Sequence, residues 1–208
     1  MANGGNMKNR VRIPGILGGI LFAVGIVGFF SIPGGGKGVT DEQLLAFYNS
    51  SGKRTAALIG YLALIVSCWL LVWLFNELRA ALAMGTRTVM AHQLGVMGAV
   101  LVMVGGGINL APALDQMITG RAYVGPDIAS ALAVAGLGVL TVGVWTMAVS
   151  IFLISLQIRS SGVSSRWLWI FGMVIAVLLA DAFPATILLV AIWAIVVGIT
   201  GVRAEEHN

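Results

Sequence analysis

Residues 55–76 read TAALIGYLALIVSCWLLVWLFN, an apolar stretch with Lys53 and Arg54 on one flank and Glu77 and Arg79 on the other. As an α-helix it is roughly 33 Å long, enough to cross a hydrocarbon core of about 30 Å. No charged side chain interrupts it, so the segment reads as a transmembrane helix that continues through Leu82 beyond the membrane.

The same pattern recurs on both sides. An apolar run over 13–32 follows Lys8, Arg10 and Arg12. It exceeds the roughly 7–15 residues of a signal-peptide core, and Ser31-Ile32-Pro33-Gly34 is a poor cleavage site, so the run is read as a retained helix. Gly34 to Gly38 break it, and Thr40-Asp41-Glu42-Gln43 reads as a capping box opening an amphipathic segment over 41–50. Leu44, Leu45, Phe47 and Tyr48 are expected to lie in the membrane–water interface. A third run covers 91–111 and is expected to stop at Pro112. After a polar loop from Asp115 to Asp127, residues 128–158 predict a helix of roughly 46 Å, which must tilt or project from the bilayer. The final stretch, Trp167 to Val202, is too long for one crossing. Asp181-Ala182-Phe183-Pro184 divides it into helices at 167–181 and 184–202, because proline disfavours helix at the residue before it and suits a new first turn. The expected fold is all-α: one transmembrane domain over 1–208, a bundle of six helices.

Composition agrees. Hydrophobic residues make up 59% of the chain and charged residues 10%, whereas soluble domains carry about a quarter charged residues. The net charge of +4 is scattered at the ends of apolar runs and forms no basic stripe with interleaved aromatics, so nucleic acid is not an expected partner. Lys and Arg in the connections set orientation. With the N-terminus inside, Lys8, Arg10, Arg12, Arg79, Arg87, Arg159, Arg166 and Arg203 fall on the inner face, and Lys37, Lys53, Arg54 and Arg121 on the outer. That eight-to-four split predicts both termini in the cytoplasm, and Trp167 and Trp169 beside Arg166 fit an aromatic belt at the inner interface. The expected location is the cell (inner) membrane.

Helices in lipid associate through close packing over small residues. Gly15, Gly19 and Ala23 form such a stripe, as do Ala91, Gly95 and Ala99; Ala131 and Ala135, and Ala194 and Gly198, offer further small faces. Gly105-Gly106-Gly107, followed by Asn109 and Pro112, is the most unusual intramembrane stretch. Each glycine lowers helix propensity by roughly 1 kcal/mol against alanine. The stretch therefore reads either as an unwound solute site or as a close helix crossing with Asn109 hydrogen-bonded to a neighbour.

Few residues invite chemistry. The centres of the predicted helices carry no charge; Glu77 and Arg79 stand at an inner end, and Asp181 is placed in an outer turn. His92, at the inner start of the third helix, forms with Glu77 and Arg79 a candidate polar site at the inner interface. His207 is in the polar tail, so paired histidine ligation of haem in the membrane is not expected. The lone Cys68 permits neither an intramolecular disulfide nor a cysteine metal site. Gly34 to Gly38 contain Lys37 but lack the Ser or Thr that follows the lysine of a phosphate-binding loop. No cofactor, metal site or catalytic residue is expected.

The segment from Thr40-Asp41-Glu42-Gln43 to Phe47-Tyr48, the Leu78-Arg79 end of helix two, and Ser165-Arg166-Trp167-Leu168-Trp169-Ile170-Phe171-Gly172 together resemble uncharacterised six-helix integral membrane proteins of bacteria, particularly actinobacteria. The resemblance implies a bacterial inner-membrane location and supplies no catalytic residue. The expected function is non-enzymatic: an accessory or interaction subunit whose partners are the lipid bilayer and either a membrane protein or further copies of itself. The alternatives are a small transporter or channel for an apolar or amphiphilic solute near Gly105 and Asn109, and, third, a lipid-acting enzyme using Glu77 and His92 as a proton-handling pair.

Overall fold

The computed structural model describes residues 4–33, 40–82, 85–120, 125–161, 166–181 and 185–201. The glycine loop at 34–38, Arg121, Pro184, Arg203 and His207 lie outside them. The described residues form seven helices and no strand: α1 Gly4–Phe30, α2 Asp41–Tyr48, α3 Ser51–Ala81, α4 Thr86–Thr119, α5 Pro126–Ser161, α6 Arg166–Leu179 and α7 Leu188–Thr200. Four of them, α1, α3, α4 and α5, are long and apolar enough to cross a membrane.

Helix boundaries depart from the apolar runs in two ways. The long helices overshoot: α4 continues through Pro112 to Thr119, because a proline costs a helix one backbone hydrogen bond and neighbouring helices hold this segment in place. The last two helices undershoot. At 14 and 13 residues, α6 and α7 are roughly 21 and 20 Å long, short of the ~30 Å core.

Neighbour relations follow the glycines. Helices α1, α3, α4 and α5 pack in that order as an arc; α6 lies on α5, α7 lies on α1, and α6 touches α7 to close the ring. On α4, Ala91, Gly98 and Gly105 recur every seven residues, and on α5 so do Gly136, Gly143 and Ser150. They meet in antiparallel register. A Cβ on Gly105 would stand 2.6 Å from the Gly136 oxygen, and one on Gly98 would stand 2.7 Å from the Gly143 oxygen. Ser150 Oγ donates to the Ala91 carbonyl at 2.6 Å. A seven-residue spacing keeps one narrow seam facing the partner along both helices, and small residues there bring the backbones together. The same device joins α1 to α3, where Gly28 and Gly60 face each other, and α1 to α7, where Gly15 lies against Ala194 and Gly198. The small stripes predicted on the first and last helices therefore meet each other. Ala131 and Ala135 do not follow suit: both are exposed on the outer half of α5.

Large side chains fill the middle of the ring. Trp193 of α7, 2% exposed, stacks on Phe75 of α3 with ring centroids 5.9 Å apart. Leu64, Leu71, Leu74, Met147 and Ile151 are buried in the same cluster. A second cluster closes the end of the bundle predicted to face outward. Here α2 opens with the expected capping box, Thr40 Oγ1 accepting from the Gln43 amide and Gln43 Oε1 from the Thr40 amide, at 3.3 and 3.2 Å. Its apolar face, however, is not laid in the interface. Leu44, Phe47 and Tyr48 are buried against Ile32, Ala57, Leu110, Ala113 and Ala129, and only Leu45 points outward. The Arg54 guanidinium donates to the Tyr48 carbonyl and pins the C-terminus of α2 to α3. A short helix with three large apolar residues gains more by sealing a bundle end than by lying half-wet at an interface.

Candidate functional site

The glycine triplet of α4 is regular α-helix, and each glycine answers to a different neighbour. Gly105 meets the α5 backbone at Gly136 and Leu140. Gly106 makes room for Leu64 and the Tyr61 ring of α3, and Gly107 for the Tyr61 hydroxyl. The triplet is thus a double crossing point, where the backbone passes close to α5 on one side and α3 on the other. One turn further on, Asn109 is 4% exposed. Its Nδ2 donates to the Phe29 carbonyl at the end of α1, a long contact of 3.4 Å, while its Oδ1 has no partner. Phe29, Tyr61, Leu64, Gly106 and Leu110 line an adjacent void with about 10 Å³ available to the centre of a water molecule. That is about the room one water needs.

Two more buried atoms lack partners near this end: Arg54 Nε on α3 and Gln116 Oε1 on α4. Antiparallel pairing carries the α3–α4 register outward from Gly95 against Phe75 and Gly106 against Leu64. That register sets Arg54 level with about Gln116. A donor and an acceptor thus sit at one level near the α2 cap; the sequence reading counted Arg54 only as an outer-face cation and did not name Gln116. Their only signal was position: each lies seven residues outward of a residue in the crossing, Arg54 of Tyr61 and Gln116 of Asn109.

The inner polar residues are dispersed into separate bonds. His92 Nε2 and Asn76 Oδ1 are 2.7 Å apart across α3 and α4; Glu77 Oε1 accepts from the Trp73 indole at 3.0 Å within α3. Arg79 is half-buried one turn beyond Asn76. The Glu77–His92 pair on which the third reading depended is not formed: His92 pairs with Asn76, and Glu77 with Trp73. With the amide oxygen as acceptor, the imidazole donates through Nε2 and keeps a lone pair on Nδ1, which is buried without a partner. Nearby, the Arg159 guanidinium lies 4.9 Å from the centre of the Trp169 ring, tying the inner ends of α5 and α6 by a cation–π contact.

Among the described residues no three His, Cys, Asp or Glu side chains stand together as a metal site would require. Cys68 is buried and free. Comparisons with protein-family models, with curated proteins and with solved structures each return no match.

Proposed function

We propose that this chain is a non-enzymatic integral membrane protein that serves as an accessory or interaction subunit, with both termini on the cytoplasmic side. Four full crossings by α1, α3, α4 and α5 return the chain to the side on which it began. The α6–α7 hairpin keeps the C-terminus there, whether its helices cross or turn back within the membrane. The eight-to-four distribution of Lys and Arg makes that side the cytoplasm.

One observation carries the reading: the interior of the ring is occupied by Trp193 stacked on Phe75, and these rings leave the outward surfaces as what the protein offers. The groups that chemistry would need are engaged in structural bonds, His92 with Asn76 and Glu77 with Trp73. The space beside Asn109, at about 10 Å³, suits one water better than a transported solute.

Affinity purification of the chain at native expression in a mild detergent, with mass spectrometry of co-purifying proteins, tests the proposal. A stoichiometric membrane-protein partner is expected. A homo-oligomer with no second protein, obtained in two detergents of different harshness, would overturn it.

A further inference from the structure

The facing ends of α6 and α7, at Leu179 and Leu188, lie well below the outer end of the bundle on both flanks. Against α5, Ala176, Val177 and Ala180 face Trp145, Ala148, Val149 and Phe152. From Trp145 the α5 helix runs on to Pro126, about 28 Å further out. Against α1, Gly19 lies at Ala191 and Ile195 and Gly15 at Ala194 and Gly198. That pairing sets Leu188, the first residue of α7, level with about Val24, and α1 continues to Phe30. Asp181 lies in a turn just past the end of α6, as the sequence reading placed it, and is exposed; α1 and α5 on either flank carry apolar helix further outward, and Val177 and Leu178 one turn earlier present bare apolar surface. A carboxyl group inside the apolar layer is costly unless it has a cationic partner. Among the described residues none is paired with it.

Between α5 and α6 lies a groove of about 360 Å³, walled by Trp145, Val149, Phe152 and Val177 and lined also by Ala180, the residue that precedes Asp181 in the chain. Its size falls within the few hundred Å³ typical of small-molecule sites. Trp145, Val149 and Val177 are exposed, so the groove lies on the outer surface of the bundle. Two of its lining residues are aromatic, Trp145 and Phe152, and aromatic faces attract a positive charge; Asp181 follows its lining residue Ala180 and stands one helical turn beyond Val177. A lipid chain alone would fill the groove and leave the acid unpaired. An inorganic cation would satisfy the acid and have no affinity for the groove.

We propose that this groove and Asp181 together bind a lipophilic organic cation, whose apolar body lies against Trp145 and Phe152 and whose positive centre pairs with the Asp181 carboxylate. The site is reached from within the bilayer and is independent of any protein partner of the chain.

Equilibrium binding of radiolabelled tetraphenylphosphonium to the full-length protein, purified in dodecyl maltoside, tests it. Saturable binding at one site per chain is expected. D181N should weaken it by about tenfold or more, as expected when one member of a desolvated charge pair is removed, and D181E should retain most of it. V177W fills the groove and should abolish binding; E42Q, on α2, should bind as wild type. Tetraphenylborate has the same shape and opposite charge and should not compete. Absence of saturable binding, wild-type affinity in both D181N and V177W, or equal competition by tetraphenylborate would each overturn the proposal.

Discussion

Replacing Gly105 with alanine places a methyl carbon where the structure leaves 2.6 Å to the Gly136 oxygen and 2.6 Å to the Leu140 nitrogen. Both obstacles are backbone, so no side chain can rotate away. Ordinary contact begins at about 3.4 Å, and α4 and α5 must therefore part by about 0.8 Å at this crossing. The seam is a continuous register, so the separation also strains the Gly98–Gly143 crossing and the Ser150–Ala91 bond, one and two heptads away. Overpacking of this kind costs about 1–3 kcal/mol, which corresponds to a fall in Tm of roughly 2–12 °C for a chain of this size. Thermal melting of the purified protein, followed by tryptophan fluorescence in detergent, reads the effect. The control is Gly138→Ala on the same helix, where an added Cβ meets nothing within 4 Å. That change should be neutral, or stabilising by up to about 1 kcal/mol through helix propensity. If G105A melts with wild type, or if G138A is as destabilising as G105A, the heptad seam is not what holds α4 to α5.

Ser150→Ala removes the hydroxyl bonded to the Ala91 carbonyl and should lower stability by about 0.6–1.7 kcal/mol, the range of interhelical hydrogen bonds in membranes, measurable as a small fall in the same melting curve. A double-mutant cycle on His92→Ala and Asn76→Ala should give a coupling of about 0.5–1.5 kcal/mol, while the His92–Glu77 cycle should give none; the reverse pattern would revive Glu77 and His92 as a proton-handling pair. Trp193→Ala empties the middle of the ring beside Phe75 and should cost about 3–5 kcal/mol, seen as aggregation or early elution on size exclusion; a monodisperse, wild-type-stable W193A would contradict a packed centre. Phe47→Ala opens the α2 cap over Leu110 and Ala113 and should speed hydrogen exchange in residues 105–116 without changing exchange at the inner end.

Properties local to the chain were legible: hydrophobicity marked the four long helices, and short motifs marked the capping box at Thr40 and the break near Asp181. Properties that depend on which residue faces which were only partly so. The glycine triplet left two readings open, unwinding and a close helix crossing, because propensity is summed locally; contact with Gly136 and Tyr61, where each missing Cβ is a fit, shows the crossing. Phe47 and Tyr48 read as interface anchors because an amphipathic face says only that something apolar covers it, and a bundle end covers it as well as lipid does. His92 was considered with Glu77 because both fall at the inner interface; the choice of Asn76 depends on the rotation of α3 about its own axis, which no spacing on one helix records. The α4–α5 seam was in the sequence throughout, as small residues seven apart on two helices, but it becomes a signal only once the two helices are known to be antiparallel neighbours.

The two short helices explain why this bundle is closed at one end by side chains and at the other by a cap. Four helices in an arc cannot surround a common core, since α1 and α5 at its ends have no neighbour on their free sides. Helices α6 and α7 supply those neighbours over the inner half, and Trp193 fills the space they enclose. Beyond the reach of the hairpin the arc is open, and the chain covers its outer end with Leu44, Phe47 and Tyr48 of α2, held by Arg54. The outer half of α5 receives no such cover: Ala131, Val134, Ala135, Gly138 and Val142 are all exposed. A helix that is polar nowhere along that face and small along much of it is suited to close approach by another helix, which makes the outer half of α5 the first place to look for the contact surface of a partner. Gly138 is exposed and an added Cβ meets nothing within 4 Å, so Gly138→Leu should point its larger side chain outward and release a co-purifying partner protein, with an unchanged melting curve as the check that the fold is kept. Retention of the partner by G138L would place its contact on another face of the bundle.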